Sequence, residues 1–287
     1  MSVRPFRSLI LVLLLAIAAS GMAPAQTDEA TLVRRALANE LRAVSDSQHP
    51  MRYRLRKSSP RLTSTKEICE TTDGAVALLV AVNGRPLSPA DEAREQARLN
   101  SLLNDPSKQH HRKQSQDEDA GRALKVLRVL PNAFLYQYSG NGNGPTGPVE
   151  KFTFRPNPKF DPPDLETQVL SQMSGELWID PSAQRVARLE GHLLQDVDFG
   201  WGILGRLYKG GSVLLEQADI GEHQWRIVHF KMVMSGRVIF KTKVFDTTED
   251  EDQYTRIPVG LTYQRGIEML RASQSQPIGA PPQSAER

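Results

Sequence analysis

Six histidines, a cluster of glycines, a run of acids and one cysteine are the residues of this 287-residue sequence that could do chemistry. The histidines are His49, His110, His111, His192, His223 and His229. No Gly-x-Ser-x-Gly elbow and no His-Glu-x-x-His helix accompanies them, so the residues for serine hydrolysis or zinc proteolysis are not assembled. His110 and His111 are adjacent; on a helix they point about 100° apart, which suits two solvated side chains better than one shared metal ion. His192 alternates with Glu190 and Asp196 on the charged side of a strand and reads as a solvated residue rather than a base. Asp198-Phe199-Gly200 shares the kinase magnesium tripeptide without the glycine-rich or catalytic loops that kinase chemistry needs. The acids of 246–252 lack the glycine of a calcium loop and read as a solvated loop. Gly140-Asn141-Gly142-Asn143-Gly144-Pro145 precedes Pro148 and a strand instead of opening a helix, so it predicts a loose hairpin loop and not a phosphate cradle. Cys69 is single, cannot close an intramolecular bridge, and is expected inside a strand. The sequence thus predicts no catalytic residue, no metal site and no cofactor.

Apolar faces are the remaining source of binding chemistry. Between Ala187 and Phe199 the odd positions are largely apolar and the even ones carry Arg188, Glu190, His192, Asp196 and Asp198. Period two with one charged side means a strand, or two with a bulge, that buries one face. Further strands are expected at 213–220, 224–234 and 238–245, joined by Gly221-Glu222 and Ser235-Gly236. Such short links make antiparallel neighbours. In the last two, Val228, Phe230, Met232, Met234, Val238, Phe240 and Val244 fall on even positions, opposite Lys231, Lys241 and Lys243. An acyl chain needs a dry wall and few directional bonds, because apolar burial contributes about 25 cal/mol per Å² whatever the geometry. The candidate wall is Leu177, Ile179, Leu189, Leu193, Val197, Trp225, Phe230 and Met232, with flexible methionines to fit variable chains. An ordinary filled core would use the same residues.

The elements that must position this wall follow from periodicity. Val33, Leu37, Leu41 and Val44 make one face of a helix over 28–44, with Thr27 as its cap. Met51, Tyr53 and Leu55 alternate with three arginines in a strand over 51–57. Strands follow at 62–71 and 75–82, the second ending on the Asn83-Gly84 turn. The stretch about 88–130 reads as a helical insertion, with helices at 91–103 and 119–130 and a highly polar piece at 108–122. Strands at 134–138 and 150–155 and a short helix at 164–173 complete nine or ten strands. An antiparallel sheet of that size, apolar on one face, must curl or be covered.

The first 25 residues read as an address. Arg4 and Arg7 precede an apolar run over 9–19, and Ala23-Pro24-Ala25 offers a small–x–small cleavage site before Gln26. This is the order of a secretory signal peptide, and an 11-residue core is short for a span of roughly 20. Without the leader, 34 basic residues face 33 acidic ones, too even to point to nucleic acid. The mature chain is expected in the periplasm or secreted, not membrane-spanning, monomeric or weakly associating, as a single domain over 26–260 with a disordered tail over 272–287.

Gly175-Glu176-Leu177-Trp178-Ile179-Asp180-Pro181 and Arg188-Leu189-Glu190-Gly191 resemble the strand pattern of the bacterial outer-membrane lipoprotein-sorting (periplasmic lipoprotein carrier) superfamily. Phe154-Arg155-Pro156-Asn157-Pro158, Val197-Asp198-Phe199-Gly200-Trp201-Gly202 and Lys209-Gly210-Gly211 resemble an uncharacterised group of exported bacterial proteins allied to it. The likeness spans roughly 30–258. It implies a mainly β, α+β fold: a curved antiparallel sheet, a half-open β-barrel lidded by helices, whose apolar face takes a lipid or acylated ligand. The insertion departs from compact carriers, and no binding residue of that superfamily matches one to one. The alternative expectation is a non-enzymatic envelope module that binds a protein partner or glycan through Trp178, Trp201 or Trp225, without lipid.

Overall fold

The computed structural model describes residues 23–199, 205–238 and 241–274. The expected leader over 1–25 falls almost wholly outside them, as do the tail beyond Gln274 and Gly200-Trp201-Gly202. The chain runs α1 (Ala23–Val44), β1 (Met51–Ser58), β2 (Thr63–Cys69), β3 (Val76–Val82), β4 (Arg85–Pro86), α2 (Pro89–Asn104) and α3 (Pro106–Ala133). It continues with β5 (Phe134–Gly144), β6 (Gly147–Pro156), α4 (Leu165–Leu170), β7 (Met173–Asp180), β8 (Arg185–Leu193), β9 (Val197–Phe199) and β10 (Gly205–Leu207). The last elements are β11 (Ser212–Asp219), β12 (Trp225–Val238), β13 (Lys241–Arg256) and α5 (Tyr263–Gln274).

The 13 strands form one antiparallel sheet in the order β4-β3-β2-β1-β13-β12-β11-β8-β7-β6-β5, with β10 and β9 attached beside β12. β4 and β5 end the path without pairing to each other, so the sheet is open rather than a closed barrel. Directly opposed residues of an antiparallel pair share a face. The row Phe152, Leu177, Leu189, Leu215, Phe230, Glu249, Lys57 therefore marks one face across seven strands. On this inner face, Val33, Ala36 and Leu37 of α1 and Leu130 and Ala133 of α3 pack with Phe152, Phe154, Leu177, Ile179 and Leu193 into the main core. A second core lies on the opposite face, where Leu99, Leu102, Ile267 and Leu270 of α2 and α5 cover Cys69, Val76 and Leu78. The expected fold class holds, with helices on both faces.

Several expectations are corrected. The second helix of the insertion begins at Pro106 and not at Asp119, so the polar stretch over 108–122 forms much of the first part of α3, a 28-residue helix. Lys113–Asp117 and Gln114–Glu118 bond at i,i+4 along it, Asp105 caps it, and buried Gln109 donates to the Asp73 carbonyl, 2.8 Å away. Thr27 lies inside α1 rather than capping it. The glycine cluster is not a loose loop: the β5–β6 ladder runs through it to Gly144–Gly147. A Cβ on Gly142 would meet the Lys151 side chain, and one on Gly144 would meet Val149, so glycine lets the hairpin close beneath them. Ser235-Gly236 is no turn either; β12 passes through it to Val238.

The largest correction concerns the acids. Residues 246–252 lie in β13, between β12 and β1, not in a solvated loop. Lys57, Arg56 and Arg54 stand directly opposite Glu249, Asp250 and Asp252, so cross-strand charge pairing carries a sequence of low strand propensity. The register also pairs Met234 with Phe245 and Ser235 with Val244. Phe245 thus shares the inner face, while Val244 lies on the other and is 66% exposed. Helix α5 had no counterpart in the sequence reading, and it extends into the stretch expected to be disordered.

Candidate functional site

The eight wall residues fall into three places. Leu177, Ile179, Leu193 and Val197 are buried in the main core, with Leu189 packed against it. Helices α1 and α3 fill the space above them, so this part of the wall is core. Trp225 belongs to a separate small cluster with Val149 and Ala187. Phe230 and Met232 are half-buried and belong to neither group.

Those last two sit on a strip that the helices leave open. Helix packing is concentrated on β2, β3, β5, β7 and β8, and among the described residues no helix packs extensively on β11, β12, β13 or β1. Leu215, Phe230, Met232, Met234 and Phe245 face the same side there, as the cross-strand pairs require. Val213, opposite Met232, joins the strip to the main core. Phe245 is 44% exposed and the others are half-buried. On the far side the strip ends at the Glu249–Lys57 ion pair, 2.6 Å long. The expected strand over 238–245 contained Phe245 but put Val244 on the apolar side, because the turn was placed at Ser235-Gly236 when β12 runs on to Val238. The period-two relation of Phe245 to Met234 across a hairpin was the only signal that could have shown this.

The end of the strip nearest β1 is polar and partly dry. Tyr53 and Tyr254 stack with ring centroids 5.1 Å apart. The Tyr254 hydroxyl lies 2.6 Å from the Ile227 carbonyl and 2.5 Å from Glu251 Oε2. One phenolic proton cannot serve two acceptors; a protonated Glu251 resolves this by donating to the phenol oxygen while the phenol donates to Ile227. Burial, with Glu249 and Glu70 nearby, pushes the Glu251 carboxyl up to about 7. Burial likewise raises Glu70 and, helped by Glu251, both tyrosines, while Arg226 works against the shifts of the two glutamates and the tyrosines. A carboxyl held above its unfolded value of 4.5 stabilises the fold below that pH, and the contribution is lost as pH rises through 7. Glu251→Gln should therefore gain roughly 1–3 kcal/mol over the parent at pH 8 and almost nothing at pH 4.5. Urea unfolding at the two pH values checks this, and equal gains would show that Glu251 is charged in the fold.

Trp225 stands at a different opening, a cleft of about 660 Å³ between the end of α1 and the β11–β12 turn. Its wall includes Asn39, Arg42, Asp46, Arg185 and Arg226. Arg185 is neutralised by Glu40 at 2.8 Å, and Arg226 donates to the His49 carbonyl, 2.6 Å away, so the cleft is polar and suits no acyl chain. On the outer face Lys151 lies 4.0 Å above the Trp178 ring, and Arg188 5.0 Å from it. That occupies one of the three tryptophans named for the glycan or protein-binding alternative, of which Trp201 lies outside the described residues. His110 and His111 are exposed, and no group of His, Cys, Asp and Glu able to hold a metal is present among the described residues. Cys69 is buried, and burial pushes its thiol up to about 11, which removes its nucleophilicity. Among the described residues no helix is long and apolar enough to cross a membrane.

No protein-family model and no curated protein matches the sequence. Among solved structures the chain is similar to a domain described as an outer membrane lipoprotein-sorting protein, from Vibrio parahaemolyticus. The two are 9% identical with a TM-score of 0.33, over 83% of this chain and 99% of that one. It is also similar to a chain of the MucA/MucB complex of Pseudomonas aeruginosa, at 12% identity and a TM-score of 0.23, over 78% of this chain and 94% of that one. MucB bound to MucA(peri) gives 12% identity and a TM-score of 0.21, over 80% of this chain and 96% of that one.

Proposed function

We propose that this chain is an exported, non-enzymatic carrier or binding protein that holds a lipid or acyl chain on the inner face of β11–β13. The observation that carries the reading is the open strip of Leu215, Phe230, Met232, Met234 and Phe245, continuous with the core on one side and bounded by an ion pair on the other. Each methylene laid on such a surface contributes about 0.8 kcal/mol without any directional bond. The methionines let the surface adapt to chains of different shape. Arg4, Arg7, the apolar run over 9–19 and Ala23-Pro24-Ala25 support export with cleavage before Gln26. The motifs around Gly175 and Gly191 support the link to lipoprotein carriers. They also have a packing reason here: a Cβ on Gly175 would fall 1.9 Å from the Glu190 carbonyl oxygen.

Native mass spectrometry of protein purified from a periplasm without detergent, followed by solvent extraction, tests the proposal. The expected result is a stoichiometric added mass of a few hundred daltons or more that extracts into organic solvent. A bare mass that stays bare after incubation with phosphatidylethanolamine–phosphatidylglycerol vesicles or a palmitoylated peptide would overturn it.

A further inference from the structure

The two edges of the sheet are finished differently. At one edge β4 is a two-residue strand containing Pro86, and beyond it the outward backbone of β3 is sealed by side chains. Glu95 Oε1 accepts from the Leu79 N–H at 2.7 Å, and Arg98 donates to the Ala77 carbonyl at 2.6 Å. Gln116 accepts from the Ala75 N–H at 2.8 Å and donates to the Ala75 carbonyl at 3.1 Å. Side chains of α2 and α3 thus imitate a neighbouring strand and block the addition of a real one.

At the other edge β5 has 11 residues, no charge and no proline. Its main chain pairs with β6 alone, and no comparable set of bonds covers its outward side among the described residues. Pro156, which has no N–H, stands opposite Phe134, while Asn157 N–H bonds the Ala133 carbonyl and Thr153 Oγ1 reaches the Gln137 carbonyl. The alternation of an antiparallel ladder then turns the main-chain groups of Tyr136 and Tyr138 outward. Beside them lies a cavity of about 240 Å³, lined by Glu29, Ala30 and Val33 of α1 with Tyr136, Gln137, Tyr138 and Phe152, so that its floor is aromatic and one side of its wall carries a carboxylate. A row of free N–H and C=O groups next to an aromatic pocket is the arrangement that strand addition uses, with backbone bonds for affinity and a pocket for one side chain.

We propose that β5 is a docking edge for an extended, uncharged segment of a partner protein, which adds a strand and places one large apolar side chain in the cavity between α1 and β5. A second copy of this chain does not fit that role. Its own β5 would present Tyr136 and Tyr138 toward the same face, and those side chains are already packed against its core, with the Tyr136 hydroxyl bonded to the Leu130 carbonyl at 3.0 Å. This inference is independent of the lipid strip, which lies at the middle of the sheet.

The test is selection of a displayed random decapeptide library on the periplasm-purified protein, followed by calorimetric titration of the synthetic winners. The expected winners are uncharged and extended, with one Phe, Leu or Ile that cannot be replaced by Ala. N-methylation of the alternate amides that face β5 should weaken binding at least tenfold, and methylation of the intervening amides should not. Ala30→Trp, at an exposed helix position on the cavity wall, should weaken binding at least tenfold with an unchanged melting temperature. Phe230→Asp should leave peptide affinity unchanged even if it abolishes lipid loading. Failure of any peptide to enrich, indifference to both methylation patterns, or full binding by a folded Ala30→Trp protein would overturn the proposal. Dimerisation of the chain that Leu135→Lys abolishes would overturn it as well, by giving the edge to a second copy.

Discussion

Glu40→Ala is expected to destabilise the protein by about 3–5 kcal/mol, because it removes a buried carboxylate and leaves a mostly covered arginine without its partner. Glu40 is 6% exposed on α1 and accepts from Arg185 Nε at 2.8 Å and Arg185 Nη2 at 2.9 Å. The Val186 N–H at 3.0 Å and Gln217 Nε2 at 3.0 Å complete its shell. One carboxylate therefore joins α1 to β8 and β11, beside the apolar contacts of Val33, Ala36 and Leu37. Alanine removes all four bonds at once, whereas Glu40→Gln keeps the volume and some acceptors and should lose less. The double variant Glu40→Ala/Arg185→Ala should recover part of the loss, since the unpaired charge goes with it. Urea midpoints at constant slope measure each value. A loss under 1 kcal/mol for Glu40→Ala would show that apolar packing alone holds α1 on the sheet.

Phe230→Asp should abolish lipid loading while leaving the fold nearly intact. Its side chain is half-buried on the strip, with Leu215 on one side and Glu249 on the other. A carboxylate there stays hydrated in the free protein, but an acyl chain laid across it would strip that water at a cost of several kcal/mol. That is a drop of at least a hundredfold in affinity. Uptake from phosphatidylethanolamine–phosphatidylglycerol vesicles, read by native mass spectrometry beside a melting curve, measures both properties. A folded Phe230→Asp protein that loads like the parent would move the ligand off this strip. Leu177, 1% exposed in the filled core, sets the contrast: truncating it to Ala should act through stability, by about 2–5 kcal/mol, and not through a lipid contact.

Most of the strands were legible because alternation is a local property. Residues 51–57 and 187–193 show it within each strand, 75–82 is a continuous apolar run, and Asn83 and Gly84, with φ of 50° and 74°, form the turn that their types announce. The acids of β13 were not legible. Taken alone, 246–252 is a polar run, and it becomes a strand only when the basic residues of β1, nearly two hundred positions earlier, lie opposite it. The helical first half of α3 was lost for a related reason. Its polar surface gives no apolar stripe, and its stability comes from i,i+4 pairs and from Gln109 and Gln116 bonding the turn just before β3.

By itself the sequence determined an antiparallel, mainly β fold, helices to cover it and a leader-like start, because composition and period two are written in neighbouring residues. Which apolar residues are core and which stay open was decided only by tertiary structure. Leu177 and Phe230 have the same alternation and lie in one cross-strand row, yet α1 and α3 cover the first and stop short of the second. The physical reason is that burial depends on where a helix comes to rest, and here that is fixed by long-range contacts such as Glu40 with Arg185, which no local pattern records.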